Sequence, residues 1–221
     1  LVEECWFDGE VYADRTDATY VQAAGIVGTS WSQTGTGKTF TPLTIRNCLN
    51  TGKVIYNVTT TSGAGAGLGG IYGGDRGYTD LTVADCVNIG IIETNQKNGT
   101  GSIVGNISKN TTIDKVATYS TADIVNCYAA TNSITTRKDG RIFGYKHNNC
   151  DVTQTANVTK DVEAMKGDVV YKDVSEGGLD LDYDVWVART SDVPVPRCFV
   201  GTVVDKSAVA EDKTGRVYAD T

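Results

Sequence analysis

Bulky core residues are scarce in this chain: 221 residues hold three Trp, four Phe and one Met. With so few of them, the core is expected to be made of small and β-branched residues, which suits thin β layers. Helical spacing is nearly absent before about residue 158, and only Val162-Glu163-Ala164-Met165-Lys166 reads as a helical turn. No apolar run nears the roughly 18 residues of a membrane-spanning helix. Basic charge is in deficit, with 20 Lys and Arg against 27 Asp and Glu and a net charge of −7. That balance excludes nucleic acid as a partner, since phosphate binding needs clustered cations. A lone histidine, His147, and the lack of closely spaced cysteines exclude a zinc site. No signal segment opens the chain at Leu1, and the missing initiator Met points to a mature fragment of something longer.

What the chain does have is a repeat. Ile45-Arg46-Asn47-Cys48-Leu49-Asn50-Thr51-Gly52-Lys53-Val54 recurs as Val83-Ala84-Asp85-Cys86-Val87-Asn88-Ile89-Gly90-Ile91-Ile92, with weaker copies around Cys5 and Cys127. The four cysteines are spaced by 43, 38 and 41 residues, and a fixed period of this size marks a repeat architecture. Three residues before each cysteine stand Val2, Ile45, Val83 and Ile124, all apolar and β-branched. One before it stand Glu4, Asn47, Asp85 and Asn126, mostly residues that tolerate left-handed backbone, so this row predicts a turn. Four after the cysteine come Gly9, Gly52, Gly90 and Thr131, a second bend, and six after it the inward row Val11, Val54, Ile92 and Ser133.

A second block follows each cysteine: Gly25-Ile26-Val27-Gly28, Gly70-Ile71-Tyr72-Gly73, Ser102-Ile103-Val104-Gly105 and Arg141-Ile142-Phe143-Gly144. Short strands closed by turn residues and recurring in register bury their apolar side by stacking coil on coil. The expected fold is therefore all-β: a parallel β-helix, or solenoid, over residues 1–150, a small C-terminal cap over 151–204, and a tail or following segment over 205–221.

The pattern Ile-x-Asn-Cys-x-Asn-Thr-Gly-x-Val followed by Gly-Gly-Ile-x-Gly resembles the GLUG-type repeats of bacterial surface proteins, found in adhesins and beside the catalytic domain of some IgA-cleaving metallopeptidases. The resemblance covers roughly residues 1 to 150. Leu179-Asp180-Leu181-Asp182-Tyr183-Asp184-Val185-Trp186-Val187, followed by Pro194-Val195-Pro196, also looks like the segment that closes such arrays. The resemblance implies a capped solenoid and an extracellular or cell-surface location. Six cysteines in an extracellular chain would ordinarily suggest three disulfides. Because Cys5, Cys48, Cys86 and Cys127 hold one place in successive coils, they are expected to stack instead as buried thiols about 4.8 Å apart. Cys150 and Cys198 lie outside the repeat, paired or free.

Ser32-Gln33-Thr34-Gly35-Thr36-Gly37-Lys38-Thr39 comes within one residue of a phosphate-binding loop and resembles the nucleotide loop of kinesin motors. Thr41-Pro42 opposes the helix such a loop requires, so no nucleotide is expected. Asp180, Asp182 and Asp184 alternate with Leu179, Leu181 and Tyr183, the period of a half-buried strand with an acidic outer face. Calcium is the alternative reading of that trio, although residues two apart on a strand lie about 6.6 Å apart. No other cofactor is expected. A polysaccharide lyase or glycosidase would have to use Asp75 or Asp139, both of which read as ordinary charged turns. Exposed aromatic residues offer sugars a flat apolar face, and Trp31, Tyr72 and Tyr78 fall in or beside loops. The expected function is a non-catalytic adhesin or glycan-binding module whose partner is a polysaccharide or host glycoprotein. A rigid accessory domain of a larger surface enzyme is the alternative.

Overall fold

A computed structural model describes residues 1–13, 21–30, 42–57, 66–96, 98–113, 116–137 and 139–200, together with the strands Val209–Glu211 and Val217–Ala219. The fold is all-β. Five parallel ladders run through it, and successive repeats visit them in the same order. The first ladder stacks Val2–Glu3, Leu43–Arg46, Asp80–Ala84, Thr121–Val125 and Asp151–Thr155. The second stacks Trp6–Phe7, Leu49–Asn50, Val87–Asn88, Tyr128–Ala130 and Val158–Lys160. The third contains Glu10–Tyr12, Lys53–Tyr56 and Ile91–Thr94, and the fourth Gln22–Ala24, Gly67–Gly69 and Thr100–Gly101. The fifth holds Val27–Ser30, Tyr72–Asp75, Val104–Ile107 and Phe143–Lys146. One antiparallel hairpin, Asn110–Ile113 with Val116–Tyr119, is inserted between the third and fourth visits.

A left-handed residue makes the corner between the first two ladders in every repeat. Glu4, Asn47, Asp85 and Asn126 have φ of 50°, 55°, 52° and 51°, as the row before the cysteine predicts. The corner explains the burial pattern around it. Ile45, Val83 and Ile124 point into the core before the bend, as do Cys48, Cys86 and Cys127 after it, all with zero exposure. All six cysteines are free thiols. Those of the repeat bond alike: Cys48, Cys86 and Cys127 donate to the carbonyls of Arg46, Ala84 and Val125 at 3.1, 3.1 and 3.3 Å.

A fifth copy of the corner escapes a search based on cysteine. Ala156 takes φ 54°, and Asn157 stands where a cysteine would be. Its Oδ1 accepts from Cys127 N at 2.8 Å and its Nδ2 donates to Ile124 O at 2.7 Å, which satisfies the last rung from the side. Parallel pairing therefore continues past residue 150 to Lys160, where the cap was expected to have begun. In the fourth copy Ile134, not Ser133, bridges to Ile92, because that copy is one residue longer.

Residues 162–200 lie along the side of the ladders. Leu49, Val87 and Tyr128, the row after the cysteine, face outward and are buried under Met165, Val170, Leu179, Leu181, Trp186, Val187 and Val195. This segment is a strap. Lys160 Nζ meets Gly177 O at the fifth copy, Asn126 Nδ2 donates to Asp180 O at 3.4 Å at the fourth, and Cys198 Sγ donates to Glu4 O at 3.5 Å at the first. Phe199 stands edge-on to Trp6, with ring centroids 5.7 Å apart. Val162–Met165 forms the expected helical turn, of the 3-10 type.

Ala156 is exposed and bears the cost of a left-handed backbone with no side-chain partner, about 1 kcal/mol or more for a residue with a Cβ. Ala156→Gly is expected to raise stability by about 1 kcal/mol and the thermal midpoint by about 2–4 °C. Asp85→Ala, which introduces the same strain at a corner bonded to Asn126 Nδ2, is expected to lower both. Paired thermal melts of the two variants check this.

Candidate functional site

Among the described residues, one group of buried polar side chains lies where the fifth ladder turns toward the first ladder of the next repeat. Tyr72 and Asp75 come from one strand, and both are fully buried. The Tyr72 hydroxyl lies 2.5 Å from Ser30 Oγ, which also bonds Thr79 Oγ1. The Asp75 carboxylate accepts from Ser108 N and Lys109 N, both at 2.8 Å, and from Ser108 Oγ at 3.4 Å. Ser120 Oγ, which accepts from Thr79 N at 3.1 Å, closes the group. Burial pushes the Tyr72 phenol far above its usual range, and burial also raises the Asp75 carboxyl against the pull of its hydrogen bonds. Asp75 therefore ties two consecutive repeats together through backbone donors.

A second buried polar pair lies on the second ladder. Asn50 and Asn88 have zero exposure, and Asn50 Nδ2 donates to Asn88 Oδ1 at 2.7 Å. Each Oδ1 accepts from the glycine two residues on, Gly52 and Gly90, at 3.1 Å. A Cβ on Gly70 would come within 2.3 Å of Asn88 Cγ and 2.4 Å of Ser102 O, so the glycine opening the second block makes room for this amide. Repetition of Asn two residues after the cysteine was the visible signal for the pair. The Ser30, Tyr72 and Thr79 group had no such signal, because Ser30 and Thr79 belong to different repeats.

Of the residues nominated as a sugar platform, Tyr72 is corrected to a core residue. It stands in register with Val27 and Val104, and Val104 with Phe143, so it fills the interior. Tyr78 keeps part of its ring exposed, with its phenol raised by burial and then by Asp80. Trp31 lies outside the described residues, as does the Ser32 to Thr39 loop. Trp6 and Tyr128, which each directly follow a repeat cysteine, divide: Tyr128 is buried under the strap, while Trp6 is exposed and donates through Nε1 to Thr51 Oγ1 at 2.8 Å.

Asp180, Asp182 and Asp184 are exposed, while Leu179 before them and Leu181 among them are buried, but the expected strand is absent and only Trp186–Val187 is assigned as a strand. Asp182 forms its own turn. Its Oδ1 accepts from Asp184 N at 2.8 Å, its carbonyl accepts from Val185 and Trp186, and Asp180 has φ 48°. Among the described residues no group of three His, Cys, Asp or Glu is arranged to hold a metal ion.

Asp139 is exposed beside Arg137, at 3.8 Å, while Asp75 is sealed inside. His147 is exposed and stacks on Tyr119, and its Nδ1 accepts only weakly from Asn149 N at 3.5 Å. Among the described residues these groups form neither a carboxylate pair nor a hydroxyl activated by an imidazole. Compared with known proteins, the chain matches no family model, no curated protein and no solved structure.

The burial of Tyr72 sets its expected cost. Tyr72→Ala should lose about 3–5 kcal/mol, the range for deleting a buried ring, whereas Tyr78→Ala should lose less than about 1 kcal/mol. Denaturant unfolding of both variants measures the difference; equal losses would return Tyr72 to the surface.

Proposed function

We propose that the chain is a parallel β-helix and serves as a non-catalytic module of an extracellular bacterial surface protein, acting as a rigid accessory or spacer element. The observation that carries this reading is where the polar chemistry goes. Asp75, Asn50, Asn88, Ser30 and Thr79 are turned inward and bonded from one repeat to the next, so side chains that would serve a reaction serve cohesion. The resemblance of Ile45 to Val54 and of Gly70 to Gly73 to GLUG-type repeats supports the bacterial surface setting. Successive visits to five ladders in one order support the helical coil.

Glycan or glycoprotein binding is the second reading, and the partly exposed ring of Tyr78 favours it. The two readings part on a panel of glycans and soluble polysaccharides, run with and without calcium. The spacer reading expects no saturable binding and no released product in either condition. Saturable binding that Tyr78→Ala abolishes would establish the glycan reading, and released sugar would overturn both.

A further inference from the structure

The end of the strap matches, in order, the residues it lies on. Arg197-Cys198-Phe199 meets Glu4-Cys5-Trp6: Cys198 Sγ donates to Glu4 O at 3.5 Å, and the next side chain, Phe199, stands edge-on to Trp6 with centroids 5.7 Å apart. Glu4 O belongs to the peptide group that leads into Cys5, so the Cys198 sulfur lies within about 7 Å of Cys5 Cα. Cys5 Sγ donates to Glu3 O at 3.3 Å, so the two thiols bond the carbonyls of consecutive residues. Cys198 is exposed and Cys5 half-buried.

The other thiols are placed differently. Cys48, Cys86 and Cys127 stand on in-register rungs, because Arg46, Ala84 and Val125 pair before them and Leu49, Val87 and Tyr128 after them. Such rungs lie about 4.8 Å apart with their Cβ atoms pointing alike, wider than the separation of about 3.8 Å that a disulfide spans. Cys5 is set off from Cys48 in the same way. Cys150 is buried at the far end of the array, where its Sγ donates to Lys109 O at 3.6 Å. Cys198 lies in the turn Arg197–Phe199, off the rungs, so strand spacing does not hold it away from Cys5. Burial raises both thiols, and Glu4 raises Cys198 further, so both are protonated at rest.

We propose that Cys5 and Cys198 form a redox latch: a small disulfide oxidises them to one S–S bond, which fastens the strap to the first repeat. The Cys198 thiolate attacks one sulfur of the small disulfide and releases one thiol; the Cys5 thiolate then attacks the Cys198 sulfur and releases the second. The protein gives up two thiol hydrogens with their electrons, and the reagent is reduced to two thiols. The closed loop runs from residue 5 to residue 198 and contains every repeat. Once it is closed, the strap cannot leave Leu49, Val87 and Tyr128 from that end without breaking a covalent bond. The inference draws on the extracellular reading only for where the oxidant would be met.

The test uses the full chain, first reduced and then held in a buffer of oxidised and reduced glutathione. Mass spectrometry of the intact chain and its peptides is expected to show the loss of two hydrogens and one cross-link, joining the Cys5 peptide to the Cys198 peptide. The thermal midpoint should rise by roughly 10 °C and fall back when a dithiol is added. Cys198→Ser, at an exposed position, should melt within roughly 2 °C of the reduced parent yet show neither cross-link nor shift. Cys5→Ala should also form no cross-link, and its Cys198 should retain glutathione. A cross-link through any other cysteine, or one between residues 5 and 198 that leaves the midpoint unmoved, would overturn the latch. Glutathione that stays on Cys198 of the parent chain would overturn it too, because Cys5 would then have failed to displace it. The redox buffer is set in vitro and no glycan is present, so any of these failures leaves the spacer reading standing.

Discussion

One backbone constraint underlies the rest of the structure: the left-handed residue at Glu4, Asn47, Asp85, Asn126 and Ala156. It turns the chain at one place in every repeat, and so fixes which side chains enter the core and which face the strap. Strand pairing has a period of two, so a slip of one residue would exchange inside for outside. Five corners in register rule that slip out. Four of the five residues have a Cβ and either a carboxamide or a carboxylate, and Asn126 Nδ2 bonds Asp85 Oδ1 at 2.6 Å, so neighbouring corners also hold one another.

The interior that results is thin, and polar groups inside it must be matched between repeats. Asn50 meets this need by donating from Nδ2 to Asn88 Oδ1 and accepting from Gly52 N, Asn88 Oδ1 accepts from Asn50 and from Gly90 N while its own Nδ2 has no partner, and Asp75 meets it with two backbone donors. Such groups cost more when left unpaired than they contribute when paired, so they specify the stacking order more than they strengthen it. The small residues have the same logic. Gly70 is small because Asn88 and Ser102 occupy the space that its side chain would need.

Much of this was legible because a repeat compares itself. The β-branched row, the left-handed row and the cysteine row each correspond to one line of residues in the structure. The same comparison held the answer for Tyr72, whose row is otherwise Val27, Val104 and Phe143; a tyrosine among such residues belongs to the core, wherever the neighbouring glycines suggest a loop. The fifth repeat was hidden because Asn157 replaces the cysteine that anchored the alignment. The strap was hidden for another reason. Leu179 to Val185 alternates like a strand, yet the Asp182 side chain bonds the backbone two residues on and bends it into a turn. A local hydrogen bond of this kind leaves no mark on hydrophobic period.

The strap also changes how the repeats share stability. In a plain stack each repeat contacts only its neighbours, so the ends fray first and unfolding spreads inward. Here the segment after Lys160 returns along the outside and reaches Glu4 and Trp6. Residues near 4 and near 198 are therefore side by side, and the described stretch between them starts and finishes at one repeat. Pulled from both sides, the stack would stand out from the line of tension instead of lying along it. Force would then reach the first repeat and the end of the strap, while the inner repeats remain unloaded.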